Sequence, residues 1–344
     1  MGRVVLVTGV GRDFGGRFAR LIAKDPVVDR VIGVDVVPPP ADLGEVHFVR
    51  ADIRHQVIGK VIADDEVDTV VHLGVAATTS SAGRRASMRE VDVVGSMQLL
   101  AACQQAASVA RLIVKSSARV YGSSPSDPAK FREDMSPRRM PSSGSGKASV
   151  EVEGYVRGFA RRRPDVCVTL LRFANLIGPQ VNTMMTRYLE LPIVPTVLGF
   201  DPRLQFCHDE DALDALHHSA LADVPGCFNV AGAHVLTLAQ AVRRLGRPHI
   251  GVPPLALGTL GSLIPQLRQA DLSAEQISFL THGRGVDTTA MRRILGFEPK
   301  FTTPEAFDDF AARSPAAAMH LERVAELERQ VATLIAKARI YGRR

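Results

Sequence analysis

The chain has 344 residues, of which 46% are hydrophobic and 23% charged, a composition typical of globular proteins with room for more than one domain. Net charge is +6, but the arginines are scattered or paired with acids and only 5% of residues are aromatic, so no nucleic-acid surface is expected. The four cysteines are widely spaced, which predicts small packed side chains in a reducing compartment and no metal site.

The N-terminal residues lead directly into a strand-like run, which leaves no room for a signal peptide and makes a cytoplasmic location the expectation. The most apolar stretch, Val252 to Leu267, is interrupted by Pro253, Pro254 and Pro265. It is also shorter than the roughly 20 residues that a membrane-spanning helix needs. No transmembrane segment is therefore predicted.

Apolar runs bounded by turn residues alternate with segments of helical periodicity along the first half of the chain. This alternation predicts a Rossmann-type α/β fold, a doubly wound parallel sheet with helices on both faces and ligands beyond the carboxyl ends of the strands. After Arg172 the pattern loosens, which predicts a smaller, irregular substrate lobe. The predicted strands are Val4–Val7, Val31–Val34, His47–Arg50, Thr69–Leu73, Ala110–Ser116 and Val166–Arg172, and the main predicted helices are Gly16–Lys24, Met88–Ala107 and Lys147–Arg163.

A glycine turn follows the first predicted strand and opens the first helix, with Gly9, Gly11 and Gly15 in the turn. Such a turn lets the backbone approach a pyrophosphate, whose charge the helix N-terminus then stabilises. Asp35 ends the second strand 20 residues after Gly15, where a carboxylate can hold the ribose hydroxyls of an adenine dinucleotide. Its charge repels a 2′-phosphate, which favours NAD over NADP. The alternative role for Asp35 is to cap the next loop.

Several motifs, in order along the chain, resemble those of the extended short-chain dehydrogenases/reductases, in the NAD-dependent epimerase/dehydratase group that acts on nucleotide sugars. The resemblance runs from about Arg3 to Phe310. The matching segments are Thr8 to Gly15, Asp52-Ile53, His72 to Ala77, Ser116 to Gly122, Leu171 to Pro179 and Asp287 to Phe297.

The resemblance implies three sets of site residues and no metal. It implies catalytic roles at Ser117, Ser143 and Lys147, and substrate contacts from Asn175 and Arg284. His72 is expected to support the sheet edge. The implied cofactor-binding residues are Gly9, Gly11, Arg12, Asp13, Phe14, Gly15, Asp35, Asp52, Ile53, Leu73, Gly74, Val75, Ala76 and Lys147.

The resemblance and the residue patterns together predict the organisation of the chain. Residues 1–178 are expected to form mainly the NAD-binding Rossmann domain, and residues 179–312 mainly the substrate lobe, with segments that return to the first domain. Residues 313–344 are predicted to form an amphipathic helix with apolar residues at a 3,4,3,4 spacing, which docks on the body or on a partner. The family also implies a homodimer joined through Met88–Ala107 and Lys147–Arg163.

Three positions depart from the family pattern. Arg12 stands where the glycine loop has its middle glycine, so its side chain either crowds the pyrophosphate or adds a positive contact to it. Leu204 stands where the substrate lobe has an arginine, with Arg203 one place early. Ser143 stands where the catalytic tyrosine is expected, and an aliphatic hydroxyl cannot be made a base at pH 7 by the neighbours that activate a phenol.

Two functions are therefore open at this point. The first is an NAD-dependent epimerase, dehydratase or oxidoreductase that acts on a nucleotide sugar or a related hydroxyl-bearing small molecule. The alternative is a catalytically impaired NAD-binding sensor, scaffold or ligand-binding protein, since Ser143 replaces the tyrosine. Tyr121 and Tyr155 are the phenols considered as substitutes.

Overall fold

The computed structural model describes residues 2–74, 82–141, 144–254, 256–257 and 273–313, with the backbone alone for residues 82–91. Most of the predicted C-terminal helix therefore lies outside the described residues, as do Val75, Ala76 and Ser143. No helix in the described ranges is both long and apolar enough to cross a membrane.

The sheet at the centre of the molecule has seven strands in the order β11-β6-β5-β4-β1-β2-β3, and all of its pairings are parallel. This arrangement confirms the predicted doubly wound fold. The strands are β1 (Arg3–Thr8), β2 (Val28–Asp35), β3 (His47–Arg50), β4 (Thr69–His72), β5 (Arg111–Ser117), β6 (Cys167–Phe173), β7 (Asn175–Ile177), β8 (Val194–Val197), β9 (Arg203–Leu204), β10 (Phe206–His208), β11 (Gly226–Val230), β12 (Leu236–Thr237) and β13 (His249–Val252).

Helices cover both faces of the sheet because its central strands are apolar on both sides. Phe18 of the first helix packs with Leu216 on one face, and Ile58, Leu99 and Phe159 pack on the other. The helices are α1 (Asp13–Ile22), α2 (Val57–Asp64), α3 (Ala82–Gln105), α4 (Gly144–Arg162), α5 (Met184–Leu189), α6 (Asp209–Leu221), α7 (Leu238–Arg244), α8 (Ala274–His282) and α9 (Thr303–Arg313), with a 3₁₀ turn at Ala118–Tyr121 and a π-helical turn at Met291–Leu295.

A second hydrophobic core lies among the elements after β6. Tyr188, Val197, Phe206, Leu280 and Phe307 are buried together there. The large sheet nevertheless takes its last strand, β11, from beyond residue 178. The predicted division at residue 178 therefore stays a prediction.

A buried ion pair connects α4 to the sheet. Arg172 on β6 donates to both carboxylate oxygens of Glu153, at 3.0 Å from Nε and 2.7 Å from Nη2. Ser116 on β5 donates to the same carboxylate at 2.7 Å, and Arg172 Nη1 donates to the Tyr121 hydroxyl at 2.7 Å. The network thus ties β5, β6 and α4 together beneath the carboxyl edge of the sheet.

Substitution Glu153→Gln should lower the free energy of unfolding by about 3–5 kcal/mol, because it leaves the buried Arg172 guanidinium without a counter-charge. The control is Arg157→Met, which removes a guanidinium that is 57% exposed and bonded to the same carboxylate. Its cost should stay below about 1 kcal/mol. Urea denaturation measures both, and equal losses would contradict a special role for the buried pair.

Candidate cofactor and active site

The glycine turn joins β1 to α1 through a backbone conformation that favours glycine. Gly9 has φ +84°, in the left-handed region, and its N–H donates to Val34 O on β2 at 3.0 Å. Gly15 lies so close to this turn that a Cβ there would clash with the carbonyl oxygen of Gly9. The start of α1 is therefore held directly against the end of β1.

The N-terminus of α1 is suited to bind an anion. Arg12 is its N-cap residue, with extended backbone (φ −109°, ψ 150°), and its side chain accepts no bond from the helix. The first N–H groups of a helix need acceptors from outside the helix, and a phosphate is a suitable one. Asp13 lies outside the cleft, 60% exposed, with Oδ2 3.7 Å from Arg17 Nη1.

Asp35 holds the glycine turn and also faces the cleft beside it. Its Oδ2 accepts from Gly11 N at 3.0 Å and its Oδ1 from Val37 N at 3.1 Å. The loop-capping role considered from the sequence is therefore present. A carboxylate has about four acceptor positions, so ribose hydroxyls can bind as well. The structure supports both roles for this residue.

The cleft at the carboxyl ends of β1, β2 and β4 has a volume of about 380 Å³. It brings together seven of the predicted cofactor residues, while other predicted ones in the described ranges lie outside its lining. Leu73 is buried in the core and Phe14 packs against it. The residues that line the cleft are Thr8, Gly9, Gly11, Arg12, Val34, Asp35, Val36, Val37, Ala51, Asp52, Ile53, Gly74 and Asp92.

Asp52, at the adenine end of the cleft by its family position, already has a cationic partner. Arg54 donates to its carboxylate through Nη2 at 2.6 Å and through Nε at 3.0 and 3.1 Å. The side-chain hydrogen bonds from Arg54 lower the pKa of Asp52. This carboxylate is therefore a fixed anion at neutral pH, available as an acceptor only.

His72 has a structural role, as expected. It is buried between Thr8 and Ser96, with Nδ1 2.7 Å from Thr8 Oγ1 and Nε2 2.8 Å from Ser96 Oγ. Burial, together with the charges of Arg12 and Lys115, lowers its pKa to about 4. The ring is neutral at pH 7 and ties β4 to β1 and α3.

Two of the residues predicted to be catalytic, Ser117 and Lys147, lie at the carboxyl end of β5 and in the first turn of α4. Ser117 ends β5, and its hydroxyl oxygen accepts from Arg119 N at 3.3 Å, which caps the 3₁₀ turn. Lys147 lies in the first turn of α4, with Nζ 3.8 Å from Glu151 Oε1. Arg119 Nη1 donates to Ser145 Oγ at 2.7 Å and so connects the two elements.

A carboxylate that the sequence did not reveal lies at the start of α4. A Cβ at Gly144 would clash with Oε2 of Glu275, and one at Gly146 would lie 3.1 Å from its Oε1. Glu275 comes from α8, more than 120 residues later, and no local motif marks it. The carboxylate therefore lies against the two glycines in the first turn of α4, the helix that carries Lys147.

Neither substitute phenol is placed to take over proton transfer. Tyr121 is buried and bonded to Arg172 and Asn229, and burial raises its pKa to about 12. Tyr155 lies on α4 two turns beyond Lys147 and is 41% exposed. The structure gives no support to either as the missing base.

The two predicted substrate residues come together on the other side of the 3₁₀ turn. Asn175 and Arg284 line one small cavity with Ala118, next to Ser117. Arg284 also lines a larger cleft of about 350 Å³ between the segments 124–131 and 199–203. Leu204 is fully buried in the second core and Arg203 is exposed, so position 204 contributes no cation here.

The fold and the site together define a dinucleotide-binding Rossmann protein with an adjacent anion site. The family model described as "NAD dependent epimerase/dehydratase family" matches residues 5–231. The chain belongs to this family, whose cofactor is NAD. The glycine turn, the uncapped α1 N-terminus and Asp35 fit that cofactor, which confirms the prediction of NAD over the described part of the cleft.

Two relatives differ in how much of this chain they match and in how similar they are to it. A protein of Mycobacterium tuberculosis H37Rv, named as uncharacterized, is 49% identical over 312 residues, 90% of this chain and 83% of its own length. A UDP-glucose 4-epimerase of Neisseria meningitidis serogroup B is 29% identical over 218 residues, 56% of this chain and 62% of that enzyme. The match to the named enzyme is thus partial.

Among solved structures, the UDP-glucuronic acid 4-epimerase of Bacillus cereus, in complex with UDP-glucuronic acid and NAD, superposes with a TM-score of 0.69. The likeness covers 90% of this chain and 98% of that one at 15% identity. At this identity the similarity establishes the fold. No group of three or more His, Cys, Asp or Glu side chains suited to a metal occurs in the described ranges.

Substitution Gly15→Ala should weaken NAD binding at least about 10-fold, because α1 must move away from the turn to accommodate the methyl group. The matched control is Gly59→Ala in α2, where a Cβ would meet Ala102 Cβ at an ordinary 3.7 Å. That change should stabilise the protein by about 0.5–1 kcal/mol. Calorimetric titration with NAD measures the effect, and an unaltered Kd in Gly15→Ala would contradict it.

Proposed function

We propose that the protein is an NAD-dependent epimerase or dehydratase that acts on a nucleotide sugar, with Arg284 as a ligand of the substrate diphosphate. The observation that carries the proposal is the state of Arg284. Its Nε donates to Gly122 O at 2.7 Å and its Nη2 to Ser123 Oγ at 3.1 Å, and both acceptors are neutral. A guanidinium has five N–H donors, so several remain for a ligand.

The burial of the Arg284 guanidinium favours the binding of an anion beside it. Desolvation, and then the charge of Arg119, lower the pKa of Arg284 to about 10, so it remains charged at neutral pH. Among the described residues no carboxylate forms an ion pair with it. Desolvating a cation without a counter-charge is unfavourable, and a diphosphate provides two negative charges. The UDP-sugar complexes of the structural neighbours support this assignment.

The sugar of such a ligand is proposed to lie beside Asn175 and Ser117, because Arg284 and Asn175 come together next to Ala118, the chain neighbour of Ser117. The cofactor supplies hydride acceptance and donation when it is bound. Ser117 is proposed to hydrogen-bond the reacting hydroxyl, and Lys147 the cofactor ribose. Ser143 cannot act as the phenol does, so the proton must pass to another group or to water, and Glu275 is the carboxylate available at the start of α4.

The proposal predicts that UDP binds and that Arg284→Met weakens this binding about 10- to 100-fold, the effect of losing charge-assisted hydrogen bonds. Arg138→Met is the control, because Arg138 is exposed and its loss changes net charge equally. Titration calorimetry gives both constants, and thermal melting checks that Arg284→Met is folded.

Turnover is tested separately by incubating the wild type with UDP-glucose and UDP-glucuronic acid and analysing the sugars by mass spectrometry and NMR. An epimer or a dehydrated product supports the enzyme. If UDP fails to bind at millimolar concentration, the nucleotide-sugar assignment is wrong. If UDP-sugars bind and no product forms, the protein is instead the ligand-binding member of the family that Ser143 suggested.

We also propose that the protein is a homodimer joined through α3 and α4. These helices pack side by side, and Arg162 Nε donates to Gln104 Oε1 at 2.7 Å between them. Each helix exposes a large apolar side chain: Met97 and Tyr155 are both 41% exposed. Apolar side chains on two neighbouring helices suit a four-helix interface between copies.

Substitution Tyr155→Arg should convert the dimer to a monomer, because it places a charge in an apolar interface. The control is Met140→Arg, since Met140 is 58% exposed and lies outside both helices. Light scattering after size exclusion measures the mass. A monomeric wild type, or a dimeric Tyr155→Arg, would show that these helices are not the interface.

A further inference from the structure

Strand β5 carries a lysine beneath the cofactor cleft. Lys115 interrupts the apolar run Leu112-Ile113-Val114 and, because side chains alternate along a strand, faces the same side of the sheet as Ser117. Its Nζ lies 5.8 Å from the centroid of the Phe14 ring, in the first turn of α1. The ammonium group is thus placed beside the helix end that receives the cofactor diphosphate.

No described carboxylate forms an ion pair with Lys115. Three charged residues surround it: Arg12 from the glycine turn, Arg119 from the 3₁₀ turn and Asp92 from α3. Burial, then Arg12, lower the pKa of Lys115 to about 8, and Asp92 opposes this effect. A half-buried ammonium that is subject to the charges of two guanidinium groups is stabilised when a further anion binds beside it.

Arg12 lies at the same end of α1 as Phe14, as the N-cap residue of that helix. It lines the cofactor cleft at the position where the family has a glycine, and its side chain does not cap α1. The charges of Arg12 and Lys115 both lower the pKa of His72, which ties β4 to β1. Since Arg12 directly precedes α1 and Lys115 lies near the Phe14 ring in its first turn, both cations flank the start of this helix.

We propose that Arg12 and Lys115 together bind the diphosphate of the cofactor, as two side-chain cations added to the glycine turn. The phosphates supply the negative charge that both groups lack, and the N-terminus of α1 contributes in the same direction. A glycine at position 12 would let the backbone approach the diphosphate closely. The arginine side chain provides a charged contact to the diphosphate instead. These two contacts involve the cofactor alone, so they do not depend on which sugar is the substrate.

The protonation of Lys115 gives this proposal a specific signature. Because the pKa of Lys115 is lowered to about 8, the ammonium is partly deprotonated at pH 8, and a bound diphosphate favours the charged form. NAD binding should therefore take up about half a proton at pH 8 and almost none at pH 6. His72 does not contribute, because its pKa of about 4 leaves it neutral at both values.

The test measures the binding of NAD, ADP-ribose and adenosine to the wild type, Arg12→Gly and Lys115→Met. Each variant should bind NAD and ADP-ribose about 10-fold more weakly, and adenosine, which has no phosphate, equally well. Lys24→Met is the control, since Lys24 is exposed beyond the other end of α1. Proton uptake at pH 8, obtained from calorimetry in buffers of different ionisation enthalpy, should disappear in Lys115→Met.

Three results would overturn the proposal. Unchanged NAD affinity in both variants excludes the contact. A loss for NAD without a loss for ADP-ribose moves the contact to the nicotinamide. Proton uptake that persists in Lys115→Met assigns the titration to another group. If Lys115→Met does not fold, as judged by thermal melting, Lys115→Gln and Arg12→Gly carry the same comparison.

Discussion

The position of the active edge depends on the buried pair between Glu153 and Arg172. A carboxylate buried on α4 is tolerable only where a guanidinium reaches it, and the one on β6 does so through two hydrogen bonds. Ser116 donates to the same carboxylate. Because Ser117 is its neighbour on β5 and Lys147 lies in the first turn of α4, this ion pair helps to set the separation of these two predicted catalytic residues.

Charge is distributed unevenly around this edge. Arg284 on the substrate side and Lys115 on the cofactor side are both largely desolvated, and neither forms an ion pair with a described carboxylate. Arg172, by contrast, has a buried carboxylate partner and holds the fold. The desolvation of Arg284 and Lys115 without such a partner is the basis of both binding proposals.

The sequence predicted the sheet and the cofactor end of the site because both depend on local rules. Apolar runs reveal buried strands, and the spacing from Gly15 to Asp35 reveals the βαβ unit. The sequence patterns gave no bounds for α2, because its short apolar run resembles a strand or a core segment. They also gave none for the strands after β6, which have only two to five residues. They missed Glu275 as well, because only tertiary packing brings that residue to α4. Lys115 was visible as a charge inside an apolar strand, but its meaning required the neighbouring arginines.

The first turn of α4 shows why the missing tyrosine is more than a single substitution. Glu275 reaches this turn only because positions 144 and 146 have no side chains, and a Cβ at Gly146 would already be 3.1 Å from its carboxylate. The family pattern has glycine at the first of these positions and serine at the second. Gly146 is therefore a further departure from the family pattern, and it lies beside this carboxylate. A carboxylate beside the first turn of α4 favours the protonated form of hydroxyl groups near it, which is the opposite of what a phenol that acts as a base requires. The cofactor end, in contrast, keeps its glycine turn and its bond to Asp35.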